Sequence, residues 1–146
     1  MRDLEIAKHK LKTENLSLVI VRAGKILFES NLRGVAGLIR AIDDLGPRLS
    51  SASVADKVVG RAAALLLAYS HIGEVYAGII SNDGLAALLE YGVKAEYGRL
   101  VPKIMNQQGR DLCPLEKLST TINSPSEAYK KIKEFLFSEE HKNNIR

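Results

Sequence analysis

Ser53-Val54-Ala55-Asp56-Lys57-Val58-Val59-Gly60-Arg61-Ala62-Ala63-Ala64, continued by Leu65-Leu66-Leu67-Ala68-Tyr69, is the stretch on which the fold turns. From Val58 to Tyr69 the residues are apolar or small almost all the way round a helical wheel, the pattern of a central element rather than a surface one. Only Arg61 interrupts it, and a charge placed there needs a carboxylate, an anionic ligand or water. Ser53 and Asp56 match the S-x-x-[DE] capping box, which predicts a helix beginning near them. On that reading Asp56 either caps the helix or contacts a ligand. Lys57 and Arg61, four residues apart, then share a helix face, where like charges repel and call for something acidic opposite, such as Asp83 or Glu116. Gly60 is costly inside a helix, so it signals either tight packing or room for a ligand.

Outward from this centre the chain alternates between helical and strand patterns. Leu4, Ala7, Lys8 and Leu11 set a first helix over 3–13. Leu16 to Val21 and Ile26 to Glu29 read as two strands around the turn Arg22-Ala23-Gly24-Lys25, an antiparallel hairpin. A helix over 34–45 ends at Gly46-Pro47. Beyond the central element come a strand from Glu74 to Ile80, a short helix from Asn82, and a strand over 95–101, which imply a parallel pair with a right-handed crossover. Met105 to Leu112 reads as a loop leading to Cys113-Pro114-Leu115-Glu116, and Ser124-Pro125-Ser126-Glu127 opens a last helix.

Composition narrows the class. The chain's 146 residues fit a single domain, 1–146, and its 46% hydrophobic and 26% charged content is that of an ordinary globular protein. The net charge of +4 is scattered rather than blocked, and aromatics amount to 5% with no Trp, so nucleic-acid binding is not expected. The sole cysteine, Cys113, excludes an intrachain disulfide and a multi-cysteine zinc site and fits a reducing, cytoplasmic setting. Neither a signal peptide nor a membrane span is expected, since no apolar run approaches the ~20 residues a bilayer requires. Cys113 has two readings: a small buried hydrophobe, or a thiol at a helix start beside Glu116.

The order of elements, and above all Asp56-Lys57-Val58-Val59-Gly60-Arg61-Ala62-Ala63 and Cys113-Pro114-Leu115-Glu116, resembles a family of small uncharacterised prokaryotic proteins with a cytidine-deaminase-like fold. The resemblance implies a three-layer α/β/α sandwich with a mixed sheet and an N-terminal antiparallel hairpin. Zinc deaminases place H-x-E at one helix start and P-C-x-x-C at the next. This chain has neither a His nor a Cys at the first and Ser81-Asn82-Asp83-Gly84 at the second, Cys113 precedes its proline, and His9, His71 and His141 lack ligand spacing, so zinc-dependent deamination is not expected.

In such a fold the two helix starts face one cleft, which would bring Asp56, Lys57, Gly60 and Arg61 to Ser81, Asn82 and Asp83. Free amides with Lys57 and Arg61 suit a phosphate, and Asp56 or Asp83 suits ribose hydroxyls, so the expected ligand is of nucleotide type, ADP-ribose-like. Three classes stay open: a nucleotide-binding module, a non-metal transferase or hydrolase using Asp56, Cys113 or Glu116, and a structural or interaction protein whose charges are neutralised internally. The resemblance also suggests a homodimer.

Overall fold

The computed structural model describes residues 1–145, with side chains through Glu139. A five-stranded sheet is built from β1 (Leu18–Arg22), β2 (Lys25–Ser30), β3 (Ser53–Val59), β4 (Glu74–Ser81) and β5 (Lys94–Val101), in the spatial order β2-β1-β3-β4-β5. The β1–β2 and β1–β3 ladders are antiparallel, while β3–β4 and β4–β5 are parallel. The helices are α1 (Asp3–Thr13), α2 (Ala36–Leu45), α3 (Arg61–Tyr69), α4 (Asn82–Glu90), α5 (Pro114–Ser119) and α6 (Pro125–Ile145). The expected mixed sheet and hairpin are therefore present.

Two hydrophobic cores lie on the two faces of the sheet. On one face Leu4, Ala7 and Leu11 of α1 bury against Val19, Val21, Ala55 and Tyr76. The larger core lies opposite, where α2, α3 and α4 cover Ile20, Val54, Val75 and Ala77, and α6 packs on α3 through Ala128 and Ile132. Seven of the nine α3 residues are buried, as its apolar circumference requires.

The hairpin turns on Ala23 and Gly24, both at positive φ (52° and 75°), the backbone that a two-residue turn between twisted strands demands. Their amides are held by the Asp3 carboxylate at 2.9 Å each, which ties α1 to the turn. Ser124 accepts from the Glu127 N–H at 3.2 Å, so the last helix opens where its sequence indicates.

The central stretch corrects its own reading. Ser53 to Val59 is not a helix start but β3, the middle strand of the sheet, and α3 begins only at Arg61 after the extended Gly60. Three β-branched valines favour the strand, and burial between two layers erases the alternation by which a strand is recognised. The capping box is correspondingly absent. Ser53 donates instead to Glu74 at 2.9 Å across the β3–β4 ladder, and Asp56 is a strand residue paired with Leu18 and Ala77. Lys57 and Arg61 do not share a helix face.

Candidate functional site

The β1–β3 ladder ends at Leu18 opposite Asp56, with one further bond from the Lys57 N–H to the Ser17 carbonyl at 2.9 Å. Past this point β3 continues without a neighbour on that side. The opening is bordered by the α1–β1 connection at Asn15, the loop at Arg33 that leads into α2, and α5. The resulting cleft has a volume of about 620 Å³ and sits at the carboxyl end of β3, where open α/β sheets commonly receive ligands.

Asp56 is 8% exposed and lines this cleft. Burial pushes its carboxyl up to about 7, against the opposing pull of the Val58 and Lys57 amides. The Val58 N–H reaches Oδ1 at 3.4 Å. Glu116, also in the cleft wall, is shifted upward by the same cause, with a further push from Asp83. Two buried acids therefore border one cavity.

Glu116 does the capping that the sequence assigned to Asp56. Its carboxylate accepts from the backbone N–H of Arg61 at 2.7 Å and of Ala62 at 3.1 Å, satisfying the first amides of α3 and opposing the positive end of its dipole. This contact explains Gly60, because a Cβ there would lie 2.2–2.6 Å from the Glu116 carboxylate atoms. A Cβ on Gly84 would similarly lie 2.8 Å from the Val59 carbonyl, so the starts of α3 and α4 abut through two glycines. The Ser81 hydroxyl caps α4 by accepting from the Gly84 N–H at 3.0 Å.

The anticipated site residues consequently divide. Asp56, Lys57 and Gly60 line the cleft together with Cys113 and Glu116. Arg61 does not; its Nε and Nη2 donate to the carbonyls of Ser119 at 3.2 Å and Ile122 at 2.8 Å, which fastens the α5–α6 connection to α3. Ser81 and Asp83 border a separate void of about 20 Å³ behind Glu116, and Asn82 lines neither space. The amides expected to hold a phosphate at α3 are already taken by Glu116.

Cys113 is half-buried at the start of α5, and its carbonyl accepts from the Glu116 and Lys117 amides at 2.9 and 3.0 Å. His9 and His71 are exposed and outside the cleft, and His141 lies beyond the described side chains. Among the cleft residues that escaped the sequence reading are Arg33 and Asn15. Asn15 accepts from Lys57 at 3.4 Å, and Arg33 has no ion-pair or hydrogen-bond partner among the described residues. Their sequence neighbourhoods are ordinary polar turns, which carry no signal of convergence.

Zinc does not fit this arrangement. The helix starts offer Gly60-Arg61-Ala62 and Ser81-Asn82-Asp83, and no group of three His, Cys, Asp or Glu side chains suited to a metal assembles among the described residues. Fold and site define an α/β protein of deaminase-like architecture without the zinc donors. Residues 6–136 match the model of the domain of unknown function DUF1893, and the chain belongs to that family. A DUF1893 family protein from Thermotoga maritima superposes with a TM-score of 0.83 at 28% identity, over 90% of this chain and 88% of that one. The apo dCMP deaminase of cyanophage S-TIM5 superposes with a TM-score of 0.52 at 15% identity, over 66% of this chain and 99% of that one, a likeness of fold. Nothing among the curated proteins matches. No helix among the described residues is long and apolar enough to cross a membrane.

Proposed function

We propose that the cleft beside β3 binds a nucleotide-type ligand, ADP-ribose-like, in a zinc-free deaminase-like domain of the cytoplasm. The observation that carries this reading is the pairing of unlike chemistries in one cavity. A buried acid, Asp56, stands within it, and two cations without carboxylate partners, Lys57 and Arg33, stand at its exposed rim. Sugar hydroxyls and base edges suit the acid, which accepts when ionised and also donates when neutral. Phosphates suit the rim. Because Glu116 fills the start of α3, Arg61 is assigned to the scaffold, and the anion is assigned to Arg33 and Lys57 instead.

The test is calorimetric titration with ADP-ribose, ADP and adenosine, repeated on Arg33→Ala and Lys57→Ala. ADP-ribose and ADP are expected to bind more tightly than adenosine, and each substitution is expected to weaken them about tenfold, equivalent to about 1.4 kcal/mol, without altering adenosine binding. No heat from any of the three at millimolar concentration would refute the reading.

A second reading, a non-metal transferase or hydrolase, rests on one observation: Asp56 and Glu116, both raised by burial, border the same cavity as Cys113. An acid poised at about 7 suits general acid–base work. Turnover of a bound nucleotide that is lost in Asp56→Asn, with binding retained, would establish this reading over simple binding.

A further inference from the structure

The starts of α3, α4 and α6 are each met by a side chain, Glu116, Ser81 and Ser124 respectively. The start of α2 is not: no side chain caps it, and its first turn holds no acid. A helix of ten residues left this way keeps N–H groups without intrahelical partners, and a partial positive charge, at its amino end. Gly34 and Val35, which lead into α2, line the cleft beside β3, so that end opens on the cavity. Gly37 sets its position, because a Cβ there would stand 2.9 Å from Ser30 Oγ at the end of β2.

Two side chains outside α2 mark the same cavity. Arg33, immediately before Gly34, is exposed and has neither an ion-pair nor a hydrogen-bond partner among the described residues. Asp56 faces the cavity from β3 and is 8% exposed; its Oδ1 receives the Val58 N–H at 3.4 Å, and its Oδ2 has no hydrogen-bond partner among the described residues. A buried carboxyl left half-satisfied at a cavity calls for a ligand with hydroxyl or N–H donors. The uncapped helix start beside Arg33 calls for an anion. One ligand answers both only if it carries the two chemistries at different ends.

We infer that the amino end of α2, together with Arg33, is the phosphate seat of this cleft, and that the ligand is a phosphate ester whose hydroxyl groups reach Asp56. The inference rests on the nucleotide reading of the cleft and adds which wall takes the phosphate. The rival seat, the start of α3, is closed, since the Glu116 carboxylate holds the Arg61 and Ala62 amides and repels a second anion. Lys57 already donates to Asn15 at 3.4 Å and contributes charge to the opening without backbone donors of its own, because its N–H is bound to the Ser17 carbonyl.

Inorganic phosphate titrated into isotope-labelled protein up to about 10 mM, where a millimolar site is about nine-tenths filled, tests the seat apart from the rest of the ligand. Saturable amide shifts are expected at Gly34, Val35 and Ala36. Ala36→Glu supplies the acid that the first turn of α2 lacks; it should hold or raise the melting temperature while weakening phosphate and ADP about tenfold and leaving adenosine unaffected. Arg33→Ala should weaken phosphate in the same direction. Phosphate shifts centred on Arg61 and Ala62, affinity for phosphate indifferent to Ala36→Glu, or no shift at all would overturn the seat, and the nucleotide reading would then stand or fall on ADP and adenosine. Phosphate bound at α2 with neither ADP nor adenosine bound would uphold the seat and overturn the nucleotide reading instead.

Discussion

Gly60→Ala is the substitution on which the local structure speaks most directly. Gly60 has φ −100° and ψ −169°, extended backbone that alanine adopts without strain, so any penalty arises from contact. Its new Cβ would stand 2.2 Å from Glu116 Oε1 and 2.3 Å from Cδ, and the carboxylate would have to leave. What leaves with it is a pair of hydrogen bonds donated by the Arg61 and Ala62 amides to the Glu116 carboxylate, each worth about 1.5–3 kcal/mol. Reduced freedom of the unfolded chain returns about 0.4–1 kcal/mol. The net loss is then about 2–6 kcal/mol, or a fall in melting temperature of about 5–20 °C for a chain of this size.

Urea unfolding of Gly60→Ala, Glu116→Ala and the double variant measures it. In the Glu116→Ala background the three atoms nearest the added methyl are gone, so Gly60→Ala should become near neutral there and the coupling should reach about 2 kcal/mol. A neutral or stabilising Gly60→Ala in the otherwise native chain would show that Glu116 does not rest on this glycine.

Other outcomes follow from the same contacts. Asp56 titrates near 7 in the folded chain against 3.8 in the reference state, so the folded protein holds its proton longer. Stability contributed by the neutral acid is complete below pH ~4 and is lost as pH rises towards 7, a change of about 4 kcal/mol at 1.36 kcal/mol per pH unit. Asp56→Asn should flatten the stability profile between those limits and stabilise the protein at pH 8; an unchanged slope in chemical denaturation would exclude Asp56 as its source. Arg61→Lys cannot span the Ser119 and Ile122 carbonyls with a planar fork, and should cost about 1–3 kcal/mol by urea unfolding while leaving ADP-ribose affinity unchanged. Lost affinity at unchanged stability would return Arg61 to the binding site.

The outer elements were legible because each carries local chemistry: Gly24 at the hairpin, Ser124 before the last helix, Gly46 after α2. β3 was not, since a strand buried on both faces reads as a continuous apolar run, and Gly60 looked internal to a helix that it in fact precedes. The reason for Gly60 was half-visible, as close approach was one of its two readings, but the approaching group is a carboxylate 56 residues further on. Asp56, Lys57, Cys113 and Glu116 converge as a set although the element assigned to the first two was wrong, because all four sit beside the start of α3. Arg33 and Asn15 reach the cleft only through the hairpin's and α1's placement against β3, a long-range consequence of sheet order that neither turn encodes.

The proposed nucleotide-type ligand would occupy the cleft beside β3. Titrating ADP-ribose into isotope-labelled protein while following backbone amide resonances tests it residue by residue. Saturable changes are expected at Gly34, Val58 and Gly60, which line the cleft, with Gly98 and Gly109 unmoved. Absence of change at millimolar ligand, or changes gathered instead around Tyr69 and Tyr129, would contradict it.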